Sequence, residues 1–350
     1  MKTTTIIKCE SNKFWQIPLL IGARGVLFGL FILIYSTSFS QDSTNVKKRI
    51  PFFKPASEFN KVRTIALSAT LGATYVGTMT YLNQIWYAGS DRSSFHFFDD
   101  SGEWLQVDKM GHFHTTYMEA VWLTKMMKWS GTKDRKAALI GSLVGLGFQS
   151  SIEIFDGFSS KWGASVSDIG ANIVGAGLAY TQFYFWNEQR IRSKYSFHSI
   201  NHLDAQLANR SNSLYGETHL EQIIKDYNGL VIWLSINPSS FNKNAKKALW
   251  VNLALGYAGG GMYGGFENEW EDENGNIIQR FDVERYRRFF FSLDVDWERI
   301  PTKSPVLKTL FSIINIIKVP FPAMELNTKG ELIFHPMFFL NWDKPIILKK

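Results

Sequence analysis

The sequence predicts an α+β protein, with an N-terminal apolar four-helix bundle followed by an antiparallel β-sheet of about five or six strands. Two observations support this fold class. Long apolar stretches with small residues at helical spacing fill the first half, whereas the second half alternates apolar and polar residues with the period of two typical of strands. The predicted segments are a signal peptide (1–41), a polar linker (42–60), a helical bundle (61–190), a connector with a short helix (191–227) and a β region (228–350).

The N-terminal segment has the order of an export signal. Basic residues precede the apolar run 25–35, and small residues follow it at 36–40. This order predicts a signal peptide cut near Ser40, because the run is short for a membrane-spanning helix. An uncleaved N-terminal anchor is the alternative. The only cysteine, Cys9, precedes the apolar run, so we expect no lipid anchor after it, no disulfide and no thiolate metal site.

Charge and motifs exclude several function classes. The chain has a formal net charge of +7, of which +3 lies in residues 1–41. The remaining +4 is dispersed, so nucleic acid is not an expected partner. The glycine-rich segment 259–265 lacks the Lys-Ser/Thr ending of a phosphate-binding loop, and no serine-hydrolase or zinc-protease motif is present.

Four apolar stretches have the length and spacing of α-helices. The first, 64–90, contains no charged side chain and repeats small residues at Ala69, Ala73 and Gly77. A glycine pair with the same spacing lies in 141–145, and such pairs let another helix approach closely. We expect a bundle that is embedded in a membrane or closely associated with one, and a buried soluble bundle is the alternative. The four stretches are 64–90, 110–128, 137–154 and 165–190.

The second half of the chain reads as an antiparallel sheet. Residues 249–257 and 288–298 alternate apolar with mainly polar or small side chains, so each strand has one apolar face. An Asp-Glu-Asn-Gly turn at 272–275 separates two of the runs. The other predicted strands are 230–236, 310–318 and 331–342.

Ionisable side chains occur at helical spacing on otherwise apolar helices. Asp108 and His112 are four residues apart, as are Asp168 and Asn172, so each pair shares one helix face. Because isolated charges on apolar helices are costly to bury, we expect these groups to meet inside the bundle. The predicted polar site consists of Asp108, Lys109, His112, Glu153, Asp156, Asp168 and Asn172.

Three interpretations of this polar site stay open. It is a structural hydrogen-bond network, a catalytic site with His112 and Glu153 as an acid–base pair, or a metal site of His112 and carboxylates. The first two are favoured, so we expect neither a metal nor a cofactor. His114 should face away from His112, and Ser165 should cap the fourth helix.

Several segments resemble a known family. Residues 107–117, 151–159 and 162–172 resemble DUF2279, a family of exported envelope proteins common in Bacteroidetes and related to a proteobacterial lipoprotein group. Residues 226–229 and 233–235 resemble the start of the C-terminal part of Bacteroidetes members. A more distant similarity to VanZ-like membrane proteins is carried by an Asp-Lys-x-x-His pattern, a later Glu and Asp-x-x-x-Asn-x-x-Gly. The corresponding positions are Asp108, Lys109, His112, Glu153, Asp168, Asn172 and Gly175. The resemblance implies an exported protein of the cell envelope.

Two functions are compatible with these observations. The first is a non-enzymatic component or accessory subunit of an envelope protein complex, such as secretion or assembly machinery, at the outer membrane or its periplasmic face. It implies contacts with envelope proteins and membrane lipid. The alternative is a hydrolase or transferase directed at lipid or cell wall, which uses Asp108, His112, Glu153 and Asp168, with His112 as general base.

Overall fold

The computed structural model describes residues 50–83, 92–242, 250–272, 274–338 and 345–349. The predicted signal peptide and the first part of the polar linker lie outside the described residues. In the described part, seven α-helices and nine strands form an α+β fold, in which the helical half of the chain precedes most of the sheet. The helices are α1 Lys61–Leu82, α2 Val107–Trp129, α3 Asp134–Asp156, α4 Val166–Trp186, α5 Ala205–Tyr215, α6 His219–Lys225 and α7 Pro305–Ile314.

Three of the four predicted bundle helices pack closely together. Helices α2, α3 and α4 share a buried cluster that includes Tyr117, Ala138 and Phe183. A four-helix bundle is not confirmed, because α1 makes only scattered contacts: Leu67 packs in a smaller cluster with Met127, and Tyr75 contacts α3. Several apolar side chains of α1 are exposed, among them Val62, Ile65 and Val76. The helical half is therefore a three-helix unit with an additional, loosely covered helix.

Glycines explain how the three helices approach one another. A Cβ on Gly141 would lie 2.4 Å from the Thr124 backbone nitrogen, and one on Gly175 would lie 2.3 Å from the Phe113 carbonyl oxygen. The close approach predicted from the 141–145 spacing is thus present. The similar spacing in α1 is not used in this way, because a Cβ on Gly77 would meet no atom within 4 Å.

The sheet has more strands than the sequence predicted. Seven strands are joined antiparallel in the order β1-β2-β3-β6-β7-β8-β9, and β4 and β5 form a separate pair. Strand β1 lies in the segment that was predicted to be a connector. The sequence did not reveal it, because its polar residues face inward and mask the apolar alternation. The predicted strand at 310–318 is wrong, since its first half belongs to α7. The strands are β1 Ile191–Phe197, β2 Leu230–Ile236, β3 Val251–Gly260, β4 Glu269–Glu271, β5 Ile277–Gln279, β6 Tyr286–Val295, β7 Ala323–Asn327, β8 Leu332–His335 and β9 Ile346–Lys349.

One face of the sheet buries charged groups. Lys194 on β1 pairs with Asp294 on β6 at 2.7 Å, and both side chains are fully buried. On the same face, Arg288 and His335 both contact Glu325, at 2.8 and 2.9 Å. Such pairs compensate the cost of removing charges from water only when every partner is in place. We call this the inner sheet face.

The opposite face, here the outer sheet face, is apolar. Helix α2 covers its β1–β2 part, where Phe113 packs with Tyr195 and Ile232. Along β3, β6 and β7 the same face continues with large apolar side chains that are 38–53% exposed. These are Val251, Leu253, Leu255, Phe289, Phe291, Leu293 and Leu326. This half of the sheet therefore buries ion pairs beside a small apolar cluster on its inner face and carries half-exposed apolar side chains on its outer face.

Candidate functional site

A left-handed backbone turn leads into the helix that carries most of the polar site. Trp104, Leu105 and Gln106 have φ angles of 50°, 50° and 62° immediately before α2 begins. Non-glycine residues rarely adopt this region, so surrounding contacts must hold them there. The Tyr257 hydroxyl donates to the Leu105 carbonyl, and Arg287 donates to the Gln106 side chain at 2.6 Å. These contacts fix where the first turn of α2 begins.

Lys109 lies at the centre of a group of carboxylates. Its Nζ is 2.5 Å from Asp100, 3.2 Å from Asp108 and 3.0 Å from Asp168. The lysine side chain is only 11% exposed, so the three contacts replace most of its hydration. One ammonium group thereby joins α2, the start of α4 and the loop before α2.

His112 faces three carboxylates at longer distances. Its Nε2 lies 4.0 Å from Asp108 Oδ1, 3.7 Å from Glu153 Oε1 and 3.9 Å from Asp168 Oδ2. All three distances exceed the length of a hydrogen bond. The Glu153 side chain is 2% exposed, and its Oε1 is a buried atom without a hydrogen-bond partner. The imidazole is 18% exposed, so the group lies near the surface of the helical unit.

Helix α4 begins with a cap that connects two of these carboxylates. The Ser165 hydroxyl accepts a hydrogen bond from the Asp168 backbone N–H and donates to Asp100 at 2.6 Å. The Ser165 backbone N–H donates to Glu153 at 3.1 Å. The predicted capping role of Ser165 is therefore confirmed, and the cap also positions Glu153 and Asp100.

The structure adds two residues that the sequence did not point to. Asp100 belongs to a loop before α2, and Tyr227 precedes β2, where its hydroxyl donates to Asp108 Oδ1 at 2.7 Å. Neither has a helical spacing relation to the other members, so periodicity could not find them. The predicted site thus extends beyond the three helices to the first residues of the sheet region.

The remaining predicted residues lie around this centre. Asn172 is fully buried one turn further along α4, where it accepts a hydrogen bond from Thr116 at 2.7 Å. Asp156 lies at the end of α3 and adds negative charge near Glu153. His114 is buried on the other side of α2, where it contacts Ser193 of β1 at 2.8 Å. Asp108, Lys109, His112, Glu153 and Asp168 therefore form the centre that the helical spacing predicted.

The electrostatics divide the carboxylates into two kinds. Burial opposes ionisation of Asp100, but hydrogen bonds from Lys109 and Ser165 outweigh it and lower its pKa to about 2. Burial raises the pKa of Glu153 to about 7, and burial together with the charge of Asp108 raises the pKa of Asp168. Burial also disfavours a charged His112, yet the surrounding carboxylates outweigh it and raise its pKa.

This arrangement has two chemical capabilities. Groups with a pKa near neutrality beside a histidine can exchange protons, which is the requirement for general acid–base catalysis. Oxygen atoms of Asp108 and Asp168 and a nitrogen of His112 also lie within 4.8 Å of one another, a set that could hold a metal ion. The fold and the site thus define an α+β protein with a partly buried, charged centre on a three-helix unit.

One comparison with known proteins gives a match. The family model described as "Predicted periplasmic lipoprotein (DUF2279)" matches residues 96–184, about a quarter of the chain. The matched segment contains Asp100 and all seven predicted site residues, and it supports an exported, periplasmic protein of the cell envelope. No curated protein and no solved structure matches the chain. The distant similarity to VanZ-like proteins stays a prediction.

Among the described residues, helix α3, Asp134–Asp156, is long and apolar enough to cross a membrane, although core helices of many proteins pass the same test.

Proposed function

We propose that this exported envelope protein associates with the outer membrane and is a non-enzymatic accessory subunit of an envelope protein complex, such as secretion or assembly machinery. The observation that carries the proposal is the exposed part of the outer sheet face on β3, β6 and β7. Its apolar side chains continue the surface that α2 covers on β1 and β2. Contiguous exposed apolar surface of this kind marks sites of contact with proteins or membranes.

The pairing register makes this surface continuous. Leu253 is opposite Leu293, and Leu255 is opposite Phe291, which is in turn opposite Met324. Fully burying a Leu or Phe side chain contributes about 1.5–3 kcal/mol, so covering the exposed half of each contributes roughly 1 kcal/mol. Seven such side chains give on the order of 7 kcal/mol, which can offset much of the entropy lost on association.

Site-specific photo-crosslinking tests the proposal in cells. A photoreactive phenylalanine analogue replaces Phe291, which points outward and is 49% exposed. After irradiation, the outer-membrane fraction is solubilised and adducts are identified by mass spectrometry. The proposal predicts a discrete adduct with another envelope protein. The matched control places the analogue at Leu203, a 79% exposed residue before α5 that is not part of the sheet.

The outcomes separate the parts of the proposal. A protein adduct at position 291 and none at position 203 supports a subunit that docks through the outer sheet face. Adducts with lipid alone support association with the membrane and contradict the complex. A protein that fractionates with soluble periplasmic proteins and forms no adduct at position 291 contradicts both.

The polar site favours a second candidate, a lipid- or cell-wall-directed hydrolase or transferase. The specific observation is the position of His112 within 4 Å of three carboxylate oxygens, two of them on groups whose pKa is raised. In this candidate His112 is the general base and Lys109 contacts an anionic group of the substrate. One observation argues against this enzymatic candidate: Lys109 already contacts three carboxylates, so its charge is not available to a substrate.

Two variants of the polar site separate the candidates. His112→Ala and Glu153→Gln are expressed in place of the native protein, and their stability is measured by urea denaturation. If both accumulate and retain the crosslink at position 291 but change lipid or peptidoglycan composition, the accessory-subunit proposal fails. If both retain crosslink and composition, the enzymatic candidate fails.

A further inference from the structure

We infer that Asp108, His112 and Asp168 bind one divalent transition-metal cation, with Glu153 as a fourth oxygen ligand. The ligand atoms are His112 Nε2, Asp108 Oδ1, Asp168 Oδ2 and Glu153 Oε1. One imidazole nitrogen with carboxylate oxygens suits ions such as Zn²⁺ and Mn²⁺, whereas the imidazole makes Mg²⁺ and Ca²⁺ poor occupants. The inference is independent of the docking surface, because its residues belong to the helical unit.

The distances around His112 fit ligands of one ion. Two atoms that each lie about 2.1 Å from an ion are at most about 4.2 Å apart. The three carboxylate oxygens lie 3.7–4.0 Å from His112 Nε2, which is too long for hydrogen bonds and within this limit. The oxygens of Asp108 and Asp168 lie within 4.8 Å of each other. A contraction of roughly half an ångström completes the set of Asp108, His112 and Asp168. Glu153 lies outside that group, so its Oε1 must move further to reach the same ion.

Glu153 provides an independent reason for a cation here. Its side chain is only 2% exposed, and one of its oxygens, Oε2, accepts a hydrogen bond from the Ser165 backbone N–H. The other oxygen, Oε1, has no hydrogen-bond partner and points at His112. A buried carboxylate oxygen without a partner costs free energy, and a bound cation supplies the missing interaction.

Charge counting supports the same conclusion. The ammonium of Lys109 is balanced by Asp100, its nearest partner. The carboxylates of Asp108, Glu153 and Asp168 then share the site with one imidazole, so negative groups exceed positive ones when all three carboxyls are ionised. A divalent cation reduces this excess, which is costly in a partly buried site.

The outer partners already orient the ligands. Lys109 contacts Asp108 through Oδ2 at 3.2 Å and leaves Oδ1 facing His112. The Tyr227 hydroxyl donates to the same Oδ1, which keeps a second lone pair for an ion. Hydrogen bonds of this kind to ligating carboxylates fix their direction in metal sites. When the ion is bound, His112 Nε2 is a ligand and is not available as a general base.

Metal binding to the purified full chain tests the inference. After chelator treatment, the chain is titrated calorimetrically with Zn²⁺ alone, and its Co²⁺ form is followed by visible absorption. We expect one ion per chain, with Co²⁺ absorption bands of a nitrogen- and oxygen-ligated site. His112→Ala and Asp168→Asn should lose the stoichiometric binding, and His202→Gln, a histidine outside the site that contacts Tyr263, should keep it.

A second measurement does not depend on whether variants fold. Diethyl pyrocarbonate modifies accessible histidine nitrogens, and the modified residues are located by mass spectrometry of the native chain. Zn²⁺ should slow modification of His112 at least tenfold and leave His202 unaffected. Absence of stoichiometric binding overturns the inference, as does an ion that persists in both ligand variants or leaves the modification of His112 unchanged.

Discussion

The inner sheet face yields the sharpest prediction about stability. Lys194 is fully buried, and its Nζ contacts Asp294 at 2.7 Å and the Val295 carbonyl oxygen at 2.6 Å. Lys194→Met keeps most of the length of the side chain but removes the charge, and it leaves the buried Asp294 without its closest cation. Removing one partner of a buried ion pair costs about 3–5 kcal/mol. Asp294 retains hydrogen bonds from the Ser235 hydroxyl and the Val319 backbone N–H. We therefore expect Lys194→Met to lower the free energy of unfolding by about 3 kcal/mol, the lower end of this range.

Urea denaturation followed by tryptophan fluorescence measures this loss. The double variant Lys194→Met/Asp294→Asn removes both charges, and we expect it to recover at least about 2 kcal/mol relative to the single variant. The control Asp282→Asn breaks a pair with Arg280 in which the carboxylate is 62% exposed, so it should cost less than about 1 kcal/mol. If Lys194→Met costs no more than Asp282→Asn, the reasoning that this pair holds the inner sheet face is refuted.

Three further predictions concern the helical unit. Burial raises the pKa of Glu119 to about 8 from an ordinary 4.5, so between these values the folded state binds more protons and stability falls as pH rises. Glu119→Gln should therefore raise the free energy of unfolding at pH 8 and change it little at pH 4.5, which urea unfolding at both pH values measures. Gly141→Ala should destabilise the protein by about 2 kcal/mol, because the added Cβ would overlap the Thr124 backbone. Gly147→Ala on the same helix is the control: its Cβ would meet no atom within 4 Å, so thermal unfolding should show a stabilisation of up to about 1 kcal/mol. Tyr227→Phe should lower the free energy of unfolding by about 2 kcal/mol, because the hydrogen bond to Asp108 is lost. If urea denaturation shows no loss of stability, Tyr227 does not contribute to the polar site.

Helical periodicity located most of the polar site. The i,i+4 relation of Asp108 and His112 and the apolar helices around them were enough to predict that Glu153 and Asp168 would join them. Asp100 could not be found in this way, because a loop residue has no periodic relation to a helix. Its position depends on the left-handed turn before α2 and on the cap of Ser165, and both are results of tertiary packing.

The sheet was harder to predict because two of its segments conflict with simple periodicity. In β1, residues such as Arg192 and Lys194 face a charged interior, so the usual rule that polar residues point to water gives the wrong assignment. The segment 310–318 is mostly apolar, and such short runs do not distinguish a strand from a helix. Pro305 at the first turn and Ser304 as N-cap were the available signals for α7.

The buried ion pairs of the inner sheet face and the exposed apolar side chains of the outer sheet face constrain function together. Burial of apolar area drives folding in water, so a sheet that places Phe289 and Phe291 outside and Asp294 inside gains little from the hydrophobic effect on its outer face. That arrangement becomes favourable when the outer face is covered, because the covered side chains then contribute their burial while the inner ion pairs stay intact. The polar site has no such dependence, because Asp108, His112, Glu153 and Asp168 belong to the helical unit and not to the exposed strands β3, β6 and β7. Loss of the outer surface should therefore abolish association and leave metal binding intact, whereas loss of His112 should do the reverse.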